Sequence, residues 1–419
     1  MKIIADLQIH SRYSRATSKT INLNNLEKYA RLKGLNLLGT GDITHPLWLQ
    51  ELKKDLKEDG SGILKSKSGF NFVLQGEVSN IYTQDGKGRR VHNVILAKNF
   101  EIVEQIQAAL IKKGRIDYDG RPIFGFSCVE LVEMLKKIDE KIEIIPAHAW
   151  TPWFSLFGSM SGFDSVEECF KNQTKHIHAI ETGMSSDPAM NWRLSQLDNF
   201  TLVSSSDAHS YWPWRIGREA NVFDIDLSYD NLIDAIRKKK GFLHTIETNP
   251  EYGKYHIDGH RACNISLEPK ESKKYNKICP KCKRPLTIGV LHRVEELADR
   301  PEGFKPNNAI PFKSLIPLSE ILSFLFNISV ASKQIWQEYY KLVNNFGNEF
   351  NVLIDAKKED LIKVTNEKIA DAIVNVREGK VKIKPGYDGV YGQLVFDDSY
   401  EEDELNKNYI PTQKSLSEF

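Results

Sequence analysis

A chain of 419 residues is long enough for two or three domains with a sizeable core. Its 57 Lys and Arg against 56 Asp and Glu leave a formal charge of +1, so contact with nucleic acid or membrane must come from a local patch. The 41% hydrophobic content is ordinary for a soluble protein, no apolar run approaches the ~20 residues of a membrane span, and the opening Met1-Lys2-Ile3-Ile4-Ala5-Asp6 meets charge too early for a signal peptide. Five cysteines, three of them crowded near the middle, suit metal ligation in a reducing compartment, and the expected location is the cytoplasm.

In chain order, apolar runs alternate with helical patterns. Residues 2–7 read as a strand ending in Gln8-Ile9-His10. An amphipathic helix follows over 23–33, closed by Gly34. The strand 35–38 runs into Gly39-Thr40-Gly41-Asp42, and 70–74 leads to Glu77. Strand 90–96 carries His92, 142–145 reaches His148, 177–180 reaches Glu181, and 201–203 reaches Asp207 and His209. Helical segments fall near 101–113, 127–138, 187–197 and 228–239. Repeated β–α units predict a parallel sheet, and seven or eight of them predict a barrel with catalytic groups at the strands' carboxyl ends.

Nearly every predicted strand ends in a potential ligand. One such Asp or His is more often a helix cap or a satisfied half-core residue. Recurrence at equivalent places in successive units instead points to a multinuclear centre of nitrogen and oxygen ligands. Asp207 and His209, two residues apart, face the same way if strand geometry continues past Val203. Trp150, Trp153, Phe154 and Phe157 form an aromatic loop that packs over the barrel mouth or stacks on an unpaired base.

The residues Asp6-Leu7-Gln8-Ile9-His10-Ser11 with Tyr13-Ser14, Gly39-Thr40-Gly41-Asp42, Gly76-Glu77-Val78, Val91-His92-Asn93, Pro146-Ala147-His148-Ala149-Trp150 and Ser205-Ser206-Asp207-Ala208-His209-Ser210 resemble the PHP family (polymerase and histidinol phosphatase). That resemblance implies a (β/α)7 barrel whose divalent metals hydrolyse phosphoesters. It implies that His10, Glu77 and Asp207 hold one metal, that Glu77 bridges to a second held by His92 and His148, and that Asp42 and His209 serve a third. Glu77, Asp207 and His209 would then carry catalysis, with Zn, Mg or Mn as the cation, and Asp6 and Glu181 would orient ligands or substrate. Gln8 stands where the family has histidine, and an amide oxygen is a weaker ligand for a borderline metal.

His260, Cys263, Cys279 and Cys282 give His-x-x-Cys and Cys-x-x-Cys, the spacing of one structural tetrahedral zinc site. His256 is a less well-spaced substitute for His260, and Cys128 and Cys169 read as core. From 271 to 293, seven basic side chains face a single acid, Glu271. Lys281, Lys283, Arg284 and Arg293 are the candidate DNA contacts within that run. The stretches Thr245-Ile246-Glu247, Gly253-Lys254-Tyr255-His256-Ile257-Asp258-Gly259-His260-Arg261, Gly289-Val290-Leu291-His292-Arg293 onward to Pro301, and Pro385-Gly386-Tyr387-Asp388-Gly389-Val390-Tyr391-Gly392 resemble the endonuclease Q family over nearly the whole chain. That resemblance implies cutting of single- or double-stranded DNA 5′ to a deaminated base (uracil, hypoxanthine, xanthine) or an abasic site.

Pro301, Pro306, Pro311 and Pro317 mark a linker, 318–326 and 329–346 read as helices, and 349–354 and 381–383 as short strands. The acidic run 397–404 reads as disordered. Beyond it Gln413, Leu416 and Phe419 fit a pattern similar to the peptide that docks on the sliding clamp PCNA. The expected division is a barrel over 1–245, a zinc-knuckle module over 246–300, an α+β domain over 301–396 and a flexible tail over 397–419. Two rival functions stand beside repair endonuclease: a small-molecule phosphatase on the same barrel, and a DNA-damage binder impaired by Gln8.

Overall fold

The structure, a computed structural model, describes residues 1–395. Strand β1 (Lys2–Asp6) lies parallel to β2 (Leu37–Gly39). The helix between them, Leu23–Lys33, starts where the Asn22 side chain accepts from Asn25 N and stops at Gly34, whose φ of 102° is open to glycine. It buries Leu23, Leu26, Tyr29 and Ala30 against the sheet. After the two-residue β3 (Leu64–Lys65), β2 pairs in parallel with the long β4 (Asn71–Gln84).

Here the sheet departs from a uniform β–α repeat. β4 and β5 (Lys87–Ala97) form a hairpin, turned at Asp85 and Gly86 with φ of 54° and 73°. A two-residue connection with both φ positive is a type I′ turn and leaves no room for a crossover helix, so the pair is antiparallel. β6 (Ile123–Phe124) adds to β4, and β5 pairs antiparallel with β7 (Glu143–Pro146). β8 (Ala179–Glu181) and β9 (Thr201–Val203) form a parallel pair of their own. β10 (Ala220–Asp224) runs antiparallel to β1, and β11 (Phe242–Glu247) antiparallel to β10. The result is a curled, half-barrel sheet of mixed direction with helices outside it.

Single backbone bonds draw the β8–β9 pair into the curl. Ala149 N donates to Glu181 O at 3.0 Å beyond β7, and His10 N to Ala208 O at 2.9 Å beyond β1. Glu247, at the end of β11, fastens the same seam by accepting from Thr182 Oγ1 (2.9 Å) and Ser204 Oγ (3.0 Å). Its neighbour Glu219 accepts from Thr248 N at 3.2 Å. Burial pushes the Glu247 carboxyl up to about 8, and burial together with Glu247 holds Glu219 well above its ordinary 4.5. Both therefore keep protons in the folded state at pH values where the unfolded chain releases them, so stability falls as pH rises from 4.5 toward about 8. Glu219→Gln removes that pairwise repulsion and one of the two titrating carboxyls. The loss of unfolding free energy between pH 6 and 8, read by urea denaturation, is expected to shrink by about 1 kcal/mol, one pKa unit's worth; an unchanged pH slope refutes the account.

The segment after β11 carries a small hairpin, β12 (Asp258–His260) with β13 (Ile265–Leu267). Asp258 is its keystone: Oδ1 accepts from Gly289 N at 2.7 Å, and Oδ2 lies 2.5 Å from His292 Nδ1 and bonds Ser272 Oγ. All three side chains are fully buried, so hairpin, the helix Pro269–Lys274 and the helix Val290–Leu297 are clamped at one carboxylate. β14 (Phe312–Ser314) then joins the edge of the main sheet beside β11.

Helices Leu318–Phe326, Lys333–Phe346 and Glu367–Arg377 complete the described chain, with β15 (Lys382–Lys384) paired to β16 (Gln393–Val395). The expected strand over 349–354 is instead a π-helical turn, Asn351–Asp355. Arg377 donates to the carbonyls of Val352, Leu353 and Ala356 at 2.7–3.0 Å, which satisfies groups that a strand partner would otherwise have taken. This unit is pinned to the sheet by a buried ion pair. Lys33 Nζ, from the first helix, lies 2.8 Å from Glu349 Oε1, and Tyr339 OH donates to Glu349 Oε2 at 2.8 Å.

Candidate metal centre

Residues at the carboxyl ends of β1, β7 and β9 and within β4 and β5 converge on one pocket. Two triads of ligand atoms, His10 with Asp207 and His209, and Glu77 with His92 and His148, each lie within 4.8 Å of one another. Glu77 joins them. Its Oε1 is 2.7 Å from His92 Nδ1 and 3.8 Å from His148 Nε2, and its Oε2 is 3.0 Å from His10 Nε2.

The donor set fits a divalent cation on a specific observation. His10 Nε2 stands 3.0 Å from Glu77 and 3.1 Å from Asp207 Oδ1, yet His10 Nε2 and Asp207 Oδ1 are both buried without a hydrogen bond. Two buried polar atoms 3.1 Å apart that share no hydrogen bond suit an ion held by both. The two carboxylates are poised as anions. Burial opposes ionisation of Glu77 and Asp207, but Arg121 and His92 overcome it for Glu77, and His209 and His10 for Asp207, so both carboxyls are held well below their usual range. Burial brings His92 down to about 4, leaving it neutral and able to ligate.

Local backbone sets the aim. Asp42, His148 and Asp207 hold φ of 46°, 31° and 47°, left-handed values that non-glycine residues rarely adopt. Such strain costs about 1–3 kcal/mol per residue and persists only where surrounding contacts dictate it. Those contacts are identifiable. Glu181 Oε2 accepts from His148 N at 2.7 Å, and Gly183, at φ 62°, leaves room beneath: a Cβ there would lie 2.7 Å from that of His148. Asp6 accepts from Ser206 N (3.1 Å), Ser206 Oγ (2.5 Å) and Gly217 N (2.8 Å), which fixes the loop carrying Asp207 and His209. Arg218 holds the same loop through Ser206 O at 2.8 and 3.1 Å.

Three expectations change in this light. β9 ends at Val203 and Asp207 is left-handed, so strand alternation does not bring Asp207 and His209 together. The turn does, with His209 Nδ1 2.8 Å from Asp207 O and 3.8 Å from Asp207 Oδ1. Asp42 does not face the two triads. Its Oδ1 lies 2.9 Å from His10 Nδ1, and its Oδ2 accepts from Ser11 N, Ser11 Oγ and Ser14 Oγ at 2.6–2.9 Å. It therefore orients the His10 ring and leaves Nε2 for the pocket, while His209 groups with His10 and Asp207. Gln8 turns its amide nitrogen to Glu77 Oε2 at 2.9 Å, so it braces the shared carboxylate; its Oε1 is buried without a partner.

In the second cluster, His260, Cys263, Cys279 and Cys282 also place their ligand atoms within 4.8 Å, with His260 Nδ1 3.4 Å from Cys282 Sγ. Desolvation raises the Cys279 thiol, but the backbone N–H groups of Cys282 and Lys281 outweigh it and bring it down to about 7. His256 lies outside this group. Lys281, Lys283 and Arg284 are exposed beside it. Arg293 is not free to meet DNA. Its guanidinium donates to Phe157 O at 3.0 Å and Phe163 O at 3.1 Å and pairs with Asp164, stapling helix Val290–Leu297 to the aromatic loop. Within that loop Trp150 and Phe157 are core, whereas Phe154 lies beside His92 with ring centroids 4.8 Å apart. Gln413, Leu416 and Phe419 lie outside the described residues.

Residue-type reasoning overlooked Arg121, whose Nη1 is 3.5 Å from Glu77 Oε1, because it sits in a turn, Asp119-Gly120-Arg121, with no strand before it. It also left Asp258, His292, Lys33 and Glu349 without a role; no local pattern announces a pairing across 34 residues, or across 316.

The chain is similar to known proteins in sequence and in fold. The family profile described as the MJ0043 C-terminal domain matches residues 317–380. The uncharacterized protein MJ0043 of Methanocaldococcus jannaschii is 33% identical over 305 residues, which cover 70% of this chain and 36% of that protein, so the match spans little more than a third of that curated relative. The crystal structure of the lesion-specific endonuclease PfuEndoQ from Pyrococcus furiosus is similar at 31% identity and a TM-score of 0.85, covering 97% of this chain and 99% of that one. An endonuclease Q solved with a 27-mer duplex bearing an abasic lesion at the active site is similar at 32% identity and a TM-score of 0.86, covering 97% of this chain and 100% of that one. With sequence and fold matched from end to end, this chain belongs to the endonuclease Q family.

Proposed function

We propose that this protein is a DNA-repair endonuclease that hydrolyses the phosphodiester 5′ to a deaminated base (uracil, hypoxanthine or xanthine) or an abasic site. The observation that carries the reading is the pair of ligand triads sharing Glu77 in one buried pocket, in a chain of the endonuclease Q family. Divalent cations held there (Zn, Mg or Mn) would supply Lewis acidity to the phosphodiester and make hydroxide available near neutral pH. Glu77 holds the two triads together, Asp207 and His209 complete one, and His92 and His148 complete the other. Asp6, Asp42 and Glu181 keep these side chains aimed. The curled sheet is a PHP-type (β/α)7 barrel in this reading, with its β4–β5 hairpin as an elaboration.

The division into a barrel (1–245), a zinc module (246–300), a C-terminal domain (301–396) and a tail assigns each part a task. The module, built round one structural zinc, presents Lys281, Lys283 and Arg284 to the phosphate backbone. The damaged base leaves the stack to bring its phosphate to the centre. The tail docks on a sliding clamp through Gln413, Leu416 and Phe419, and the enzyme works in the cytoplasm. The test is incision of end-labelled duplexes containing uracil, hypoxanthine, an abasic site or no lesion, with each metal in turn. Cutting 5′ to the lesions and sparing undamaged duplex is the expected result. Hydrolysis confined to a free phosphate ester would make the protein a phosphatase; tight lesion binding without cutting in any metal would make it a damage binder impaired through Gln8.

A further inference from the structure

The pocket contains a cation that no ligand set requires. Arg121 Nη1 lies 3.5 Å from Glu77 Oε1, and that long contact is the one hydrogen bond of its guanidinium among the described residues. The side chain keeps 22% of its surface exposed. Asp119, the nearest acid on its own loop, is already committed, accepting from Arg15 N (3.3 Å) and Arg121 N (3.1 Å) and pairing with Arg15 Nε (3.4 Å).

The loop that carries Arg121 is seated with care. Gly120 N donates to Tyr13 O at 3.1 Å, and Gly120 O accepts from Thr44 Oγ1 at 3.2 Å. A Cβ at Gly120 would lie 2.2 Å from Asp42 Oδ2 and 2.5 Å from Ser14 Oγ, so this turn packs directly on the carboxylate that orients His10. This cation keeps Glu77 ionised, but it also weighs against a divalent ion in the same pocket. It neutralises the carboxylate shared by both triads and repels any divalent cation placed beside it. A guanidinium kept where metal ions must gather is accounted for by an anion that arrives after them.

We propose that Arg121 is a catalytic residue that donates to a non-bridging oxygen of the phosphoryl group under attack. The proposal rests on the nuclease reading and names the group that meets its substrate. Once cations occupy the Glu77 oxygens, the guanidinium fork is free to turn to the phosphate, whose planar oxygen pairs it matches. Charge accumulates on those oxygens in the transition state, so the contact strengthens there and acts on kcat more than on KM. Arg121 keeps its proton and forms no covalent bond.

The test compares Arg121→Met and Arg121→Lys with the wild type in the full-length, metal-loaded protein. Single-turnover incision by Arg121→Met should fall about 10²–10³-fold, the cost of one lost oxyanion donor, with Arg121→Lys between. KM for the duplex should move less than about fivefold. Calorimetric titration with manganese alone should show affinity unchanged or up to about tenfold tighter in Arg121→Met, because a repelling charge has gone. Binding of inorganic phosphate to the manganese-loaded protein should weaken about tenfold or more. Manganese bound about tenfold more weakly would make Arg121 a builder of the site and overturn the proposal. Phosphate binding or incision at the wild-type level would overturn it equally. Phosphate reads the subsite without DNA, so a wild type that cuts nothing but shows the phosphate and manganese differences would sink the nuclease reading and support the role of Arg121.

Discussion

Glu77→Gln is expected to abolish incision, lowering the single-turnover rate by at least about 10³-fold, at a folded state that circular dichroism cannot distinguish from the wild type. The reason is that one carboxylate serves two triads. Oε1 faces His92 and His148, Oε2 faces His10, and both lie at 3.8 Å or less from those imidazoles. The amide is nearly isosteric, but it is neutral, with one oxygen and an N–H₂ that cannot ligate a cation, so whichever way it turns one side of the pocket loses the shared oxygen. Charge is lost as well. The pocket then holds Arg121 and the imidazoles with Asp207 as the facing carboxylate, and its capacity for a second divalent ion falls. Manganese titration is expected to show fewer tight sites per chain than the wild type. A variant that incises within tenfold of the wild type, or retains the wild-type stoichiometry, rules out Glu77 as the shared ligand.

The second large effect is on stability. Lys33→Met should cost about 3–5 kcal/mol, because it strands Glu349 as an uncompensated charge in a dry interface. Lys33 and Glu349 are 1% and 0% exposed, and Lys33 Nζ also donates to Pro213 O at 2.9 Å, so the ammonium ties the first helix, the loop after β9 and the C-terminal helices together. Tyr339 OH and Leu318 N would still donate to Glu349, which softens the loss without removing it. Chemical denaturation of the full chain, followed by tryptophan emission from Trp212, Trp214 and Trp336 at this junction, provides the measurement. The double variant Lys33→Met with Glu349→Leu should recover most of the loss, since apolar replacement of both partners removes the buried charge. A single variant as stable as the wild type would show that water reaches this pair.

What the sequence made legible follows the range of the interaction. The helix Leu23–Lys33 was readable to the residue because its cap, periodicity and closing Gly34 are all local. Strand Thr201–Val203 was readable from its apolar run and the serines after it. The candidate ligands could be picked out because identical chemistry recurs after successive strands, and the structure brings six of them into two triads. Direction of strand pairing was not: Asp85-Gly86 is a hairpin signal, but it lies between two runs that each fitted a β–α repeat. Strands Ala220–Asp224 and Phe242–Glu247 and the helix Pro46–Asp55 went unread. Asp42 was counted as a ligand because type and position matched; its 2.9 Å contact with the far nitrogen of His10 depends on a ring orientation no spacing encodes. Arg293 counted as part of a basic run until Phe157, Phe163 and Asp164 were seen to occupy it.

The left-handed backbone at Asp42, His148 and Asp207 has a consequence for how the protein is loaded. Side chains aimed by the main chain take their bearings as the polypeptide folds, before any ion arrives. The acid and imidazole cluster is then a preset receptacle, and a cation bound there would exchange by dialysis with no renaturation step. The thiol cluster at Cys263, Cys279 and Cys282 draws on a half-exposed and an exposed cysteine in a short hairpin region, and an ion bound there would be part of the fold's own mortar. One polypeptide would thus carry a replaceable reagent and a permanent rivet.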